Sequence, residues 1–166
     1  MRTERPSKTF GMIDDLIDPS GTYCLNASPS KPWQNLQMGD ESLRLESDAD
    51  EQLLLHVAFR QCVKLSKIIF GCPTDESCPA EISIFVNLNS PGFNDVDGKC
   101  AYQTDVNEDE GTKVLALPAV KFNRVESVTI FISSNHGADI SSLHKLNFEG
   151  TPVMNTDVSK IHDRPK

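Results

Sequence analysis

Two residue types in this chain of 166 residues could do chemistry, carboxylates and cysteines, and both occur in groups. The densest polar run is Glu46-Ser47-Asp48-Ala49-Asp50-Glu51, in which Glu46, Asp48 and Asp50 alternate and would share one side of an extended segment. Carboxylates so placed supply hard oxygen ligands, of which calcium takes roughly six to eight. The Gly and terminal Glu of an EF-hand loop are absent. A calcium loop, a solvated turn and a contact surface for a partner therefore all stay open. So does a role inside the fold, with Ser47 or Asp48 capping backbone N–H groups where the loop enters a strand, and Asp50 or Glu51 pairing with Lys121 or Arg124. A second acidic run, Asp105–Glu110, ends at Gly111 and has the composition of a solvated connection.

Cys24, Cys62, Cys72, Cys78 and Cys100 make an odd count, which does not suit a fully paired secreted framework. Asn26-Ala27-Ser28 fits the glycosylation pattern, but Met1–Phe10 shows no apolar signal-peptide core. Reduced thiols in the cytoplasm or nucleus are the expectation. Cys72 and Cys78 flank Pro-Thr-Asp-Glu-Ser. They could form a reversible disulfide, act as a redox pair, or give zinc two thiolates beside Cys100 or a histidine; otherwise they are exposed loop thiols. Asp75 and Glu76 would raise a thiol pKa there. No two of His56, His136, His144 and His162 fall at metal-ligand spacing, and solvent-facing histidines are expected, with His56 on the outer side of a strand. Trp33, the one tryptophan, lies in a polar stretch and is expected to plug an end of the core.

Enzyme signatures are absent: no Gly-rich phosphate loop, no Gly-x-Ser-x-Gly elbow, no His-Glu-x-x-His and no Cys-x-x-Cys. Neither catalysis nor a resident metal or cofactor is expected.

The elements that position these groups follow from a period of two. Leu53, Leu55, Val57 and Phe59 oppose Leu54, His56 and Ala58. A second run holds Val63, Leu65, Ile68, Ile69 and Phe70, with a polar break at Ser66-Lys67. Further runs are Ile82–Leu88, Lys113–Leu117 leading into Val120–Phe122, Val128–Ser133 and Leu143–Phe148. Short alternating runs rich in β-branched and aromatic residues, bounded by Gly, Pro, Asn and Asp, mark half-buried antiparallel strands. Each needs a second sheet over its apolar side, so the pattern predicts an all-β sandwich or jelly roll of about eight strands. Only Met12–Ile17 reads as a short helical turn.

The length fits one domain. With 38% hydrophobic and 24% charged residues the chain is globular in composition. Sixteen Lys+Arg against 24 Asp+Glu leave a net charge of −8, which excludes nucleic acid and anionic membrane as main partners. A monomer with a protein partner is the expectation.

Several runs together resemble one family. They are Cys24-Leu25-Asn26, Leu45–Leu54 (Leu-Glu-Ser-Asp-Ala-Asp-Glu-Gln-Leu-Leu), Val57-Ala58-Phe59, Val63-Lys64-Leu65, Ile84–Leu88, Val120–Ile132, Ser134-Asn135 and Phe148–Val153. In order and spacing they resemble the PITH domain, the proteasome-interacting C-terminal domain of thioredoxin-like proteins, which also occurs alone. The resemblance implies a galactose-binding-like β-sandwich over residues 13–155, with tails at 1–12 and 156–166. It also implies docking to the 26S proteasome regulatory particle, without catalytic residues in the domain itself. In two-domain members the redox centre lies in a separate thioredoxin domain, so reductase activity is not implied here. The family run makes Glu46, Ser47, Asp48, Asp50 and Glu51 the candidate partner-binding residues. The Cys72–Cys78 pair is not part of the resemblance and leaves a thiol function open, as the jelly-roll pattern leaves open a calcium- or carbohydrate-binding module.

Overall fold

The computed structural model describes residues 11–40 and 42–153. Ten strands follow in chain order: β1 (Gly11–Met12), β2 (Tyr23–Leu25), β3 (Leu45–Glu46), β4 (Leu53–Gly71), β5 (Pro79–Val86), β6 (Tyr102–Asp105), β7 (Thr112–Ala116), β8 (Val125–Asn135), β9 (Ser142–Leu143) and β10 (Lys145–Pro152). All pairings are antiparallel. The turn expected at Met12–Ile17 is a 3-10 turn over Asp14–Leu16.

The two strong runs of the sequence form one strand of 19 residues, β4. Its first half lies between β2 and β8, and β8 continues through β5 to β6. Its second half lies between β7 and β10, with β1 outside β10. Between them the register with β8 shifts from Ala58 to Val63, and Arg60 and Gln61 turn outward. One strand thus serves both layers of a jelly-roll sandwich.

The break at Ser66-Lys67 is a bulge, not a gap. Lys67 opposes Glu149 while Leu65 opposes Gly150, so Ser66 has no opposite number, and its hydroxyl donates to the Glu149 carbonyl at 3.0 Å. One extra residue moves the apolar set from Val63 and Leu65 to Ile68 and Phe70, and all four remain buried. The main core joins them to Leu53, Leu55 and Val57, Ile82 and Ile84, Val128, Ile130 and Ile132, and Phe148. Trp33 closes this core as expected, from a 3-10 turn over Trp33–Gln37. The segment Val120–Phe122 is a turn and not a strand: Val120 is 85% exposed while Phe122 is fully buried.

The opposite face of β4 is covered as well. Leu54, Phe85 and Val96 form a second cluster with Tyr23, Phe93 and Phe131 under the connection 87–101. The Tyr23 hydroxyl fastens that connection by donating to the Pro91 carbonyl at 2.6 Å. His56 is therefore buried, against expectation. Its Nδ1 lies 2.8 Å from Thr129 Oγ1 and its ring 5.2 Å from that of Tyr23, and burial lowers its pKa.

The pairings also sort the connections. Loops 26–52, 72–78, 106–111 and 136–144 lie at one end of the sandwich. Residues 59–62, 87–101 and 117–124 lie at the other, as do Gly11, opposite Gly150, and Val153, whose N–H donates to the Cys62 carbonyl. The residues 11–12 that the sequence assigns to a tail are thus strand β1, and the expected tail 156–166 lies outside the described residues.

Candidate functional site at the acidic loop end

Asn26 builds the loop 46–52. It follows β2 with φ of +66°, a left-handed conformation that asparagine tolerates better than most residues. From there its side-chain amide donates to Asp50 Oδ1 at 2.9 Å and to the Gln52 carbonyl at 2.7 Å, while its Oδ1 accepts the Ala49 N–H. Its backbone carbonyl accepts from Asp48 N–H. With Nδ2 committed to the loop, a glycan at the Asn26 sequon would pull this arrangement apart.

The five predicted site residues divide by role. Ser47 is buried, and its hydroxyl accepts the Ser141 N–H at 2.8 Å; Ser141 in turn donates its hydroxyl to the Glu51 carbonyl. The cap at the start of β4 is Asp50, whose Oδ1 accepts the Gln52 N–H at 3.0 Å. Glu46 is half-buried and lies 3.7 Å from Lys31 Nζ. Asp48 projects into solvent and Glu51 is partly exposed. The expected pairing of Asp50 or Glu51 with Lys121 or Arg124 does not occur, because those cations stand at the far end, where Lys121 reaches the Ala101 carbonyl and the Arg124 carbonyl accepts from Asn87.

Three further loops bring carboxylates to the same end: Asp75 and Glu76, Glu108 to Glu110, and Asp139. Backbone bonds tie them together, from His136 and Ala138 N–H to the Glu76 carbonyl, from Cys72 N–H to the Gly111 carbonyl and from Ser142 N–H to the Ser77 carbonyl. The two acidic runs, about fifty residues apart in sequence, thus stand on one rim. Lys31, Arg44, Lys113 and Lys145 are the cations near it, and Lys113 is taken by Glu110 at 3.5 Å. Hydrogen bonds from the Ser77 N–H and hydroxyl hold the Asp75 carboxyl below its usual range.

Cys72 and Cys78 are buried and not exposed loop thiols. Both are unpaired in the structure, and the Cys78 thiol donates to the Pro79 carbonyl at 3.4 Å and to the Asn107 carbonyl at 3.8 Å, under the loop 106–111. Burial pushes Cys72 up to about 12 and Cys78 to about 11, and Glu110 adds to both shifts. At neutral pH both are thiols and poor nucleophiles. Cys100, the third ligand envisaged for zinc, packs in the second cluster at the other end. Among the described residues no group of three or more His, Cys, Asp or Glu side chains is placed to hold a metal ion. His136 directs Nε2 at the Val106 carbonyl, 2.7 Å away, and His144 lies against Gly71.

Residues 3–165 match the PITH domain. The chain belongs to the PITH domain family. Relatives of this PITH domain include PITH domain-containing protein 1 of Danio rerio, 34% identical over an alignment of 143 residues, with 81% of this chain and 67% of the relative covered. The Homo sapiens protein of the same name is 32% identical, with 89% and 74% covered. Thioredoxin-like protein 1 of Schizosaccharomyces pombe is 30% identical over 94% of this chain, which spans 57% of that protein. The fold is similar to that of a family 32 carbohydrate-binding module of Clostridium perfringens solved in complex with galactose, with a TM-score of 0.67, 13% identity, and 84% and 98% of the two chains covered. A second such module, in complex with GalNAc-β-1,3-galactose, has a TM-score of 0.65 at 9% identity, with 83% and 99% covered. The expected galactose-binding-like sandwich is therefore the observed fold of this PITH domain.

Asn26, which the sequence marks as a sequon and not as a tie, and Asn87 at the far end are the loop-holding residues whose roles the motifs do not announce. Asn87, with φ of +58°, ties the far end as Asn26 ties the near one: its Nδ2 donates to the Arg124 carbonyl and its Oδ1 accepts the Glu126 N–H. The signal available was an Asn directly after each apolar run, in Leu25-Asn26 and Val86-Asn87.

Proposed function

We propose that this PITH domain is a non-enzymatic adaptor that docks to the 26S proteasome regulatory particle through its acidic loop end. One observation carries the reading beyond the family: four loops distant in sequence present their carboxylates on one rim. In this reading Asp48, Glu51, Glu108 and Asp109 face the partner, Glu46 stands at the edge, and Ser47, Asp50 and Asn26 hold the surface in shape. Such a surface speeds and orients encounter with a basic partner, and its binding weakens as salt rises. A cytoplasmic and nuclear location belongs to the same proposal.

The test is affinity capture from cell extract at two salt concentrations, with wild type beside the variant Asp48→Lys/Glu51→Lys/Asp109→Lys. Regulatory-particle subunits captured by wild type and lost with the variant are the expected result. Equal capture by both would move the contact to another face, and capture of no subunit above background would overturn the docking itself. Calorimetric titration with calcium and with galactose is expected to give no heat; a saturable signal from either would favour a ligand-binding module instead.

A further inference from the structure

We propose that the far end of the sandwich carries a second docking site, a groove that binds an acidic segment of a partner protein by one large apolar side chain. The groove has a volume of about 380 Å³ and a floor of Phe85, Val86 and Leu88, where β5 runs into the connection 87–101. Lys99 and Lys121 stand on its rim, and both are exposed. Among the described residues neither lysine forms an ion pair. Lys121 reaches only the Ala101 carbonyl, at 3.4 Å. Of the carboxylates on the connection, Asp95 is turned to the Gly92 N–H, and the exposed Asp97, two residues before Lys99, forms no ion pair with it.

Two free cations bracketing an apolar floor, on a chain of net charge −8, form the chemical opposite of the acidic end. The complement is a peptide with an aromatic or long aliphatic side chain flanked by carboxylates. The side chain leaves water against Phe85 and Leu88 while the carboxylates meet the two ammonium groups. An anionic bilayer would meet the same lysines, but the carboxylates over the rest of the molecule oppose its approach. This site lies at the other end from the proposed proteasome contact and does not depend on it.

The test uses three peptides, acetyl-Asp-Glu-X-Asp-Glu-amide with X as Phe, Leu or Ala, titrated into isotopically labelled protein at low salt and followed by backbone amide shifts. The Phe and Leu peptides are expected to shift residues 85–88 and 99–101 with Kd of about 0.1–1 mM, and the Ala peptide to bind at least about fivefold more weakly. Lys99→Glu and Lys121→Glu are each expected to weaken binding by about threefold to tenfold, with the melting temperature unchanged because both side chains are exposed. The Phe peptide is also expected to slow alkylation of Cys100, which lines the groove, without protecting Cys62. No shift at about 2 mM peptide, binding by both lysine variants as tight as that of the wild type, or shifts confined to the acidic end would each overturn the proposal. Concentration-dependent self-association of the wild type that Lys99→Glu abolishes would overturn it too, by giving the groove to a second copy of this chain.

Discussion

Replacing Asn26 by Asp changes one atom and tests how the acidic loop is held. The amide N–H groups that meet Asp50 Oδ1 at 2.9 Å and the Gln52 carbonyl at 2.7 Å disappear, while the acceptor for Ala49 N–H stays. Two lost hydrogen bonds at about 1 kcal/mol each come to about 2 kcal/mol. The new carboxylate also stands against that of Asp50, a repulsion of about 1 kcal/mol for a pair near 4 Å in a largely aqueous setting. The expected loss is therefore about 3 kcal/mol at neutral pH, or about 6–12 °C in melting temperature for a domain of this size. Asn26→Gly keeps the left-handed backbone but loses the Ala49 N–H acceptor as well as the two donated bonds, without the repulsion, so its loss is expected at about 3 kcal/mol too. Urea denaturation of both variants at low and high salt separates the parts: salt should recover about 1 kcal/mol in Asn26→Asp and nothing in Asn26→Gly. An Asn26→Asp loss below about 0.5 kcal/mol, or one indifferent to salt, would refute the account of Asn26 as the tie that shapes this rim.

Three other outcomes are expected. Gly150→Ala places a Cβ against the Lys64 backbone carbonyl at the bulge, where neither strand can move aside, and a loss of about 3 kcal/mol or more by denaturant midpoint is expected. Burial lowers the His56 pKa, so the unfolded chain takes up the proton first: stability is complete above the ordinary imidazole range and falls as pH drops through it towards the depressed folded value. Midpoints measured between about pH 8 and pH 5 should show that slope, and His56→Gln should flatten it. Iodoacetamide at neutral pH should label the partly exposed Cys62 and Cys100 before Cys72 and Cys78, whose thiols are pushed to about 12 and about 11; equal rates in the native protein would contradict their burial.

The strands were legible because their cause is local. Alternation along Leu53–Phe59 sorts the residues to two faces, and the structure keeps that sorting, but it buries Leu54 and His56 on the second face too and joins the two runs through a bulge at Ser66, which the sequence presents as a break between strands. The loops were not legible, because their shape comes from bonds across long separations, Asn26 to Asp50 and Ser47 to Ser141. Cys72 and Cys78 sit among Pro, Thr, Asp, Glu and Ser, and nothing local announces that loop 106–111 will cover them. His56 misled for a related reason: the polar side of an alternating strand is the outer side only if no connection folds over it, and residues 87–101 do. Composition and the family run give the predicted contact residues as one block and do not distinguish among them. Only the structure separates Asp48, which faces solvent, from Ser47 and Asp50, which hold the loop.

Gly11, on the strand outside β10, and Val153, bonded to the Cys62 carbonyl, both stand at the end away from the acidic rim. Anything joined through either position, whether a fused domain, an affinity handle or a sensor surface, is held behind the molecule with the carboxylate loops pointing outward. A probe tethered there would orient every copy alike and leave the rim open to a large partner, so the geometry of attachment already suits a module that presents one end to another assembly.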